Sequence, residues 1–261
     1  MLDENWKAFE SVEVQAEFRV AQGLQEPERS ILAILKPLLS NARVLDIGVG
    51  GGRTTPFFAG ALDYVGIDYS PGMIRICKEK YSEVPNTNFL ICDARELHFI
   101  DTTFDIVLFS FNGIDNMPHL GRLKALSEIH RICKPMGSFA FSSHNLLYAP
   151  LLLGRLRVRP SHRRPPGVAS IFRDIVTNAK RRKLNPNWQA LIKDEYACIV
   201  DGAANWKINS YYVNPGYQVK QLRDAGFSNV RIFSLNGKEV VGQRAIEGNR
   251  DPWLYFLCSP I

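Results

Sequence analysis

A run of strand-forming residues leads directly into a glycine-rich turn near residue 50 of the chain. Val44, Leu45 and Ile47 predict a buried central strand, and glycines follow without a spacer at positions 48, 50, 51 and 52. Glycine has no Cβ, so it adopts positive φ and lets a ligand lie against the backbone, near the free N–H groups of the next helix. The stretch therefore predicts a cradle for a small molecule.

The spacing of the glycines narrows the choice of ligand. A dinucleotide loop, G-x-G-x-x-G, would need a third glycine at position 53, where the chain has Arg53. The chain instead reads D-x-G-x-G-x-G, with Asp46, Gly48, Gly50 and Gly52. A carboxylate at the strand end suits a ligand with an ammonium group and repels a phosphate. This pattern resembles motif I of the class I S-adenosyl-L-methionine (SAM)-dependent methyltransferases, which implies SAM as the cofactor.

The next predicted strand, residues 64–68, also ends in a carboxylate. Asp68 comes twenty residues after Gly48, a spacing at which a strand-end acid can accept hydrogen bonds from both hydroxyls of a ribose. Ser70 then predicts a helix N-cap. The acid followed by a capped helix resembles motif II of the same family, and we expect Tyr69 and Met73 to contact the cofactor beside Asp68.

The third and fourth predicted strands, residues 88–92 and 104–110, reach the same edge of the sheet. The third ends at Asp93 and Ala94, and the resemblance implies that Asp93 accepts a hydrogen bond from the adenine amino group. Phe109, near the end of the fourth, is a further expected cofactor contact. A strand-end aspartate can also be a helix N-cap, but three in order at successive strands favour a ligand site.

The remaining pattern predicts a doubly wound, Rossmann-like α/β fold. Helical periodicity over residues 120–133, a Lys-Pro-x-Gly turn and a strand at 138–145 resemble the same family. Strands at 230–233 and 253–258 predict an antiparallel edge hairpin, which completes a mostly parallel seven-stranded sheet. We expect a SAM-binding core with N-terminal helices over residues 1–145, a lid insertion for substrate recognition over 146–213, and the rest of the core over 214–261.

The lid insertion carries most of the excess positive charge. Residues 155–183 contain ten Lys or Arg against the single acid Asp174, in a chain with a net charge of +6. A basic helix is expected over 170–183, followed by a hairpin of 196–200 with 207–213. The basic segment has three interpretations: a site for a phosphorylated or carboxylated small substrate, a nucleic-acid contact, or a solvated face. Few aromatic residues interleave the charges, which favours a small-molecule acceptor over nucleic acid.

Candidate catalytic residues must lie at the ligand ends of the fourth and fifth strands. His144 is the best candidate for a general base because imidazole titrates near neutral pH, and the competing interpretation is a structural histidine at a strand end. Asn112, Asp115 and Asn116 are candidates to bind the cofactor or position the acceptor, although all three are also residue types favoured in loops. Tyr211 is a candidate pocket residue on the lid, although it and the adjacent tyrosine cannot both face one pocket. His119 and His130 are not candidates, because they are expected on the helix side, at the surface.

The cysteines and the apolar segments limit the other classes of protein. Five cysteines are widely spaced without a C-x-x-C pair, which argues against a disulfide scaffold and a metal site. No signal peptide is expected, and the apolar patch at 146–156 is too short to span a bilayer, so we expect a cytoplasmic protein without a membrane partner.

Together these features predict a methyltransferase that uses SAM to methylate an oxygen or nitrogen of a small molecule, without a metal. The alternatives are an RNA methyltransferase that holds its substrate through residues 155–183, a non-catalytic SAM-binding protein, and a nicotinamide dehydrogenase, against which Arg53 argues.

Overall fold

A computed structural model describes residues 4–20, 23–154 and 168–261 of the chain, and in these ranges nine strands form one sheet. The strands are β1 Arg43–Ile47, β2 Asp63–Asp68, β3 Thr87–Ile91, β4 Phe104–Phe109, β5 Cys133–Asn145, β6 Tyr196–Ile199, β7 Ser210–Val213, β8 Phe227–Phe233 and β9 Trp253–Pro260. The helices are α1 Glu4–Phe9, α2 Val12–Val20, α3 Glu26–Leu35, α4 Thr55–Phe58, α5 Pro71–Lys80, α6 His119–Ile132, α7 Ala149–Leu153, α8 Val168–Leu184, α9 Trp188–Leu191, α10 Ala203–Trp206, α11 Pro215–Asp224 and α12 Gln243–Gly248.

The sheet has the predicted doubly wound, mostly parallel arrangement. Strands β3, β2, β1, β4 and β5 lie side by side in that order and are parallel. Strand β9 pairs antiparallel with both β5 and β8, which confirms the predicted closing hairpin. The carboxyl ends of β1 to β4 therefore meet at one edge, where ligands bind in such sheets.

The apolar residues of the central strands divide between two cores. In β1, Leu45 and Ile47 face a core that includes Leu126 and Ile129 of α6. Val44 faces the opposite core, together with Ile31 of α3. Successive side chains of a strand point to opposite faces, so the continuous apolar run predicted for β1 serves helices on both sides of the sheet.

The predicted count of seven strands is corrected by the hairpin of β6 and β7, which adds two. This hairpin is expected within the lid, and β6 and β7 do pair antiparallel. However, β7 also pairs in parallel with the last two residues of β5, His144 and Asn145. Because β4 ends at Phe109, opposite Phe141, the longer β5 leaves an edge free at this point. The insertion thus extends the sheet just above the loop that follows β4.

Two further helical predictions can be compared with the fold. The helical pattern over residues 5–24 forms two helices, α1 and α2, and the hydroxyl of Ser11 between them donates to the carbonyl of Ala8 at 2.8 Å. The basic helix predicted over 170–183 is confirmed as α8, whereas the basic residues between 155 and 167 lie outside the described ranges. Within those ranges, no helix has the length and apolar character that crossing a membrane requires.

Candidate active site

The glycine-rich turn after β1 has the backbone that its sequence predicts. Gly48, Gly50 and Gly52 have φ values of +63°, +54° and +76°, a region that other residues rarely adopt. A Cβ on Gly48 would lie 2.9 Å from the ring of Phe109, and one on Gly50 would lie 2.7 Å from the ring of Phe18. Two aromatic rings therefore close against the bare backbone, which leaves no room for a side chain.

Asp46 and Gly52 lie behind this turn and do not line the cavity in front of it. The carboxylate of Asp46, which is 1% exposed, accepts hydrogen bonds from Thr54 and, at 2.8 Å, from the hydroxyl of Tyr64. Burial raises its pKa to about 6. The carbonyl of Gly52 accepts a 2.5 Å hydrogen bond from the hydroxyl of Tyr81. The expected direct contact of Asp46 with a ligand ammonium is thus not supported, since both of its partners fix the turn.

Asp68, at the end of β2, is held in place by two backbone amides. Its carboxylate accepts hydrogen bonds from the N–H of Gly50 at 3.0 Å and from the N–H of Ser70 at 2.9 Å. Each oxygen keeps a further lone pair, and the side chain lines the cavity although it is only 7% exposed. Burial raises the pKa of Asp68 to about 6. The carboxylate is therefore oriented to accept hydroxyl donors in the cavity.

Asp93, at the end of β3, is already paired with an arginine. Arg95 donates to its carboxylate from Nη2 at 2.6 Å and from Nε at 2.9 Å. Burial acts to raise the pKa of Asp93, but these hydrogen bonds outweigh it and lower the pKa below its usual range. Both residues line the cavity. Asp93 thus reaches the expected place, with Arg95 as a partner that sequence reasoning missed.

A cleft opens over the carboxyl ends of β1 to β4, with about 760 Å³ of space when the solvent at its mouth is included. It is lined by eight of the ten residues for which cofactor contact is expected: Gly48, Gly50, Asp68, Tyr69, Met73, Asp93, Ala94 and Phe109. Asn116, a loop residue expected to bind the cofactor or position the acceptor, also lines it, and sequence reasoning missed the others: Phe9, Phe18, Ile47, Cys92, Arg95, Ser110, Phe111, Gly113 and Met117. Several of these directly follow a strand end, which is the only local signal that could have found them.

The N-terminal helices form the outer wall of this cavity. Phe9 of α1 and Phe18 of α2 line it, with their ring centres 6.0 Å apart. Glu10, between the two helices, accepts hydrogen bonds from the hydroxyl of Ser70 and from the N–H of Gly72 at 3.3 Å, at the start of α5. The two helices are therefore tied to the same element that follows Asp68.

The loop after β4 adopts an unusual backbone. Phe111 and Asn112 have φ values of +54° and +59°, and Phe111 in particular is not a residue that favours this region. The N–H of Asn112 donates to the hydroxyl of Ser142 at 2.7 Å. Its side-chain Oδ1 is buried without a hydrogen-bond partner. Such local strain is typical of functional loops.

His144, at the end of β5, belongs to a buried network with Asp115. Its Nδ1 lies 2.8 Å from Oδ2 of Asp115, and its Nε2 lies 3.2 Å from Nδ2 of Asn112. Asp115 also pairs at 2.5 Å with Nη1 of Arg122, and both side chains are fully buried. The carboxylate assigns the proton to Nδ1, so Nε2 of the neutral ring is an acceptor. Three predicted residues, Asn112, Asp115 and His144, are thus brought together, outside the walls of the main cavity.

The expectation that Tyr211 lines the pocket is not matched by its position. Tyr211 is fully buried, and its hydroxyl lies 2.8 Å from Nδ1 of His119 and accepts from Gln221 at 3.1 Å. The adjacent Tyr212 instead stacks on His144, with ring centres 4.6 Å apart. Alternation along β7 separates the two rings, as expected.

The surface positions expected for His119 and His130 are corrected, because both histidines are half-buried. The ring of His119 stacks on Tyr196 with centres 4.1 Å apart, and burial lowers its pKa. The ring of His130 packs edge-on against Phe227 at 5.4 Å.

A second cavity adjoins the first, with about 630 Å³ of space when the solvent at its mouth is included. The two share Phe18, Gly48, Ser110 and Phe111 as walls. Arg53 and Glu17 line only the second. The arrangement therefore offers one space over the strand ends and another beside it, and these four shared residues border both.

The residues of the first cavity fit SAM. Two glycines of the turn border the cavity beside a buried carboxylate whose remaining lone pairs can accept from hydroxyl donors. A family model described as "Methyltransferase domain" matches residues 44–137. A demethylmenaquinone methyltransferase of Staphylococcus aureus is 36% identical over 201 residues, 75% of this chain and 71% of that protein. The chain belongs to the class I SAM-dependent methyltransferases.

Its activity is the transfer of a methyl group from SAM to a small molecule. A demethylmenaquinone methyltransferase of Renibacterium salmoninarum is 27% identical over 206 residues, 78% of this chain and 74% of that protein. A SAM-dependent methyltransferase of Mesorhizobium loti has a similar fold, with a TM-score of 0.61 and 16% identity over 89% of this chain and 97% of that one. These relatives do not favour the RNA methyltransferase or the non-catalytic alternative.

Proposed function

We propose that the methyl acceptor is an uncharged, quinone-type ring compound with an ionisable hydroxyl. Two relatives are named for methyl transfer to demethylmenaquinone. The observation that carries the proposal is the second cavity, which meets the SAM cavity at Ser110 and has aromatic walls in Phe18 and Phe111. A flat ring compound fits between such walls.

The charge of the second cavity supports an uncharged acceptor over an anionic one. Arg53 lines this cavity, but its guanidinium donates to both carboxylate oxygens of Glu28 at 2.6 Å. It also donates to the carbonyl of Gly23 at 2.8 Å and to the hydroxyl of Ser110 at 3.4 Å. Because its charge and most of its donors are already used, Arg53 offers little to an anion. The exposed acid Glu17 at the rim adds to this preference.

We propose that the eight expected residues that line the first cavity bind the cofactor, whereas Asp46 and Gly52 do not. Asp68 accepts the ribose hydroxyls, while Gly48 and Gly50 let the cofactor lie against the backbone. Asp46 supports the turn instead of binding the ligand. SAM supplies an electrophilic methyl group, so the protein has to orient the acceptor and remove a proton.

His144 is the proposed base, and Asp115 its positioning residue. Deprotonation of a ring hydroxyl makes both the oxygen and the neighbouring ring carbon nucleophilic, so one base serves either acceptor atom. In this proposal the acceptor hydroxyl replaces the amide of Asn112 at Nε2 of His144. Asn112, the neighbour of His144, directly follows Phe111 in the sequence, and Phe111 lines both cavities.

Residues 146–213 are proposed to act as the lid, between core segments 1–145 and 214–261. Tyr212 stacks on His144, and its hydroxyl donates to Asp201 at 2.9 Å. The hairpin of β6 and β7 is thereby fixed over the base. The five cysteines are free thiols, which supports a proposed location in the cytoplasm.

A matched pair of acceptors tests the proposal. The purified protein is incubated with SAM and either a neutral hydroxynaphthoquinol or the same ring with a carboxylate, and methylated product is measured by mass spectrometry. We expect the neutral ring to be methylated with the higher kcat/KM. Preference for the carboxylated ring, or methylation of neither while SAM binds normally, would refute the proposed acceptor class.

A further inference from the structure

We propose that the exposed face of α8 docks onto the surface of an anionic lipid bilayer. Over residues 174–184, the part of α8 whose side chains the structure describes, the outward face includes apolar residues that a typical surface helix would turn inward. Asn178 is 5% exposed and faces the protein, whereas Ile175 and Val176 are 43% and 51% exposed and face outward. Exposed apolar side chains that lie together on a surface often mark a site of interaction with a partner or a membrane.

Hydrogen bonds tie several polar side chains of α8 to the rest of the protein. Arg181 donates to the carbonyl of Asp201 at 2.9 Å and to Oδ1 of Asn178 at 3.2 Å. Arg182 donates to the carbonyls of Leu153 and Gly154, both at 2.8 Å. These bonds fix the rotation of α8 about its axis, so the direction in which Ile175 and Val176 point is determined by the fold.

The outward face combines apolar and cationic residues in one stripe. Ile175, Val176, Ala179 and Lys183 occupy positions i, i+1, i+4 and i+8 of the helix, and Lys180 is exposed beside them. The described exposed face carries no acid, since the nearest, Asp174, is half-buried. Aliphatic side chains followed by lysines match an interface of apolar chains beneath anionic headgroups.

A bilayer surface fits this face better than a nucleic acid does. Bases of single strands stack on aromatic rings, and residues 174–184 contain none. The neighbouring ring of Trp206 is covered by Nζ of Lys180, 4.6 Å from its centre. The exposed Ile175 and Val176 would gain nothing from phosphates but would gain from burial among acyl chains.

Docking through α8 would bring the active site close to the bilayer, in which an apolar substrate dissolves. The same Asp201 whose carbonyl holds Arg181 accepts the hydroxyl of Tyr212, which stacks on His144. The docking surface therefore connects to the base through two hydrogen bonds and one ring contact. This inference goes beyond the proposed acceptor, and vesicle binding can be measured without any acceptor.

Flotation of the full-length protein tests the docking surface. Vesicles of phosphatidylcholine alone are compared with vesicles in which a third of the lipid is phosphatidylglycerol. The apolar variant is Ile175→Gln with Val176→Gln, and the cationic variant is Lys180→Gln with Lys183→Gln. The matched control, Ile100→Gln with Lys238→Gln, changes an exposed isoleucine and an exposed lysine elsewhere. Calorimetry with SAM establishes that each variant is folded.

We expect the wild type and the control to float with the anionic vesicles and much less with phosphatidylcholine. The cationic variant should lose roughly tenfold or more of its partitioning, and the apolar variant about fivefold. Absence of wild-type flotation would overturn the proposal, as would flotation of the apolar variant equal to that of the wild type. Salt-sensitive retention of single-stranded RNA without flotation would likewise replace it with a nucleic-acid surface.

Discussion

One carboxylate oxygen of Asp115 holds both the backbone and the ring of His144. The N–H of His144 donates to Oδ2 at 2.7 Å, and Nδ1 lies 2.8 Å from the same atom. The other oxygen of Asp115 accepts from Nη1 of Arg122 at 2.5 Å and from the hydroxyl of Ser143 at 2.7 Å. A fully buried ion pair thus stands behind the imidazole and sets both its orientation and its tautomer.

Replacing His144 tests its proposed role as base. In His144→Gln, turnover should fall by about a hundredfold or more because no group accepts the acceptor proton, while SAM affinity stays unchanged. Turnover is measured as S-adenosylhomocysteine released, and affinity by calorimetry. His98→Gln is the matched control, since that side chain is 79% exposed. Unchanged turnover in His144→Gln would return this residue to a structural role.

Neutralising Asp115 should lower the stability of the protein and also its rate of turnover. In Asp115→Asn, Arg122 remains buried without a counter-charge, so the free energy of unfolding should fall by about 3 kcal/mol. Urea denaturation measures the change. Glu239→Gln breaks an ion pair with Arg231 whose side chains are 34% and 41% exposed, and should cost no more than about 1 kcal/mol. Equal losses in the two variants would contradict a special role for the buried pair.

The affinity for SAM should depend on pH through Asp68. Burial raises its pKa to about 6 in the folded protein, and ribose hydroxyls need the ionised form as acceptor. Affinity should therefore weaken as pH falls through about 6. Because the folded pKa lies above the usual value, this group's contribution to the stability of the unliganded protein is fully present below about pH 4 and is lost as pH rises through about 6.

Calorimetric titration with SAM between pH 5 and pH 8 measures how the affinity depends on pH. This range includes the expected midpoint of about 6. Asp68→Asn should bind SAM weakly at every pH and lose the pH dependence. A pH profile that survives in Asp68→Asn would assign the titration to another group.

A side chain at Gly50 should displace Phe18, which forms part of the wall of the SAM cavity. In Gly50→Ala the new Cβ meets the ring of Phe18 at 2.7 Å, at a φ of +54° that costs about 1 kcal/mol for alanine. SAM affinity should fall at least tenfold, as measured by calorimetry. Gly60→Ala is the control, because a Cβ at that position would have no heavy atom of another residue within 4 Å. Adding Phe18→Ala to Gly50→Ala relieves the contact but not the backbone strain, so any recovery should be partial.

The sequence predicts the parts of the site that depend on local signals. Strand ends at Asp68 and Asp93, the turn at Gly48 and the helix start at Ser70 are each encoded within a few residues, and each lies where expected. The orientation of the Asp46 side chain depends instead on its hydrogen bond with Tyr64, a residue 18 positions further along the chain. Local periodicity carries no signal for such a contact.

The lid shows the same limit more strongly. Tyr211 is a reasonable pocket candidate from its place in the sequence, but Gln221 of α11 and His119 of α6 engage its hydroxyl and bury it. The pairing of β7 with β5 likewise depends on β5 extending past the end of β4, which no pattern in either strand reveals. Tertiary contacts of this kind decide which face of a correctly predicted strand meets the ligand.

The neutral wall of the second cavity predicts a change of acceptor preference in Glu28→Gln. The side chains of Arg53 and Glu28 are 14% and 7% exposed, and their pairing cancels a positive charge next to the proposed acceptor. Removing the negative partner should lower the free energy of unfolding by about 3 kcal/mol and leave the guanidinium free to attract an anion. Because two charges near 4 Å apart interact by about 4 kcal/mol at an effective dielectric constant of about 20, the ratio of kcat/KM for the carboxylated over the neutral ring should rise at least tenfold. Glu26→Gln is the control, since that residue's side chain is 67% exposed and its loss leaves the Arg53 pair intact. A ratio unchanged in Glu28→Gln, in protein that still binds SAM, would mean that the acceptor does not lie against Arg53.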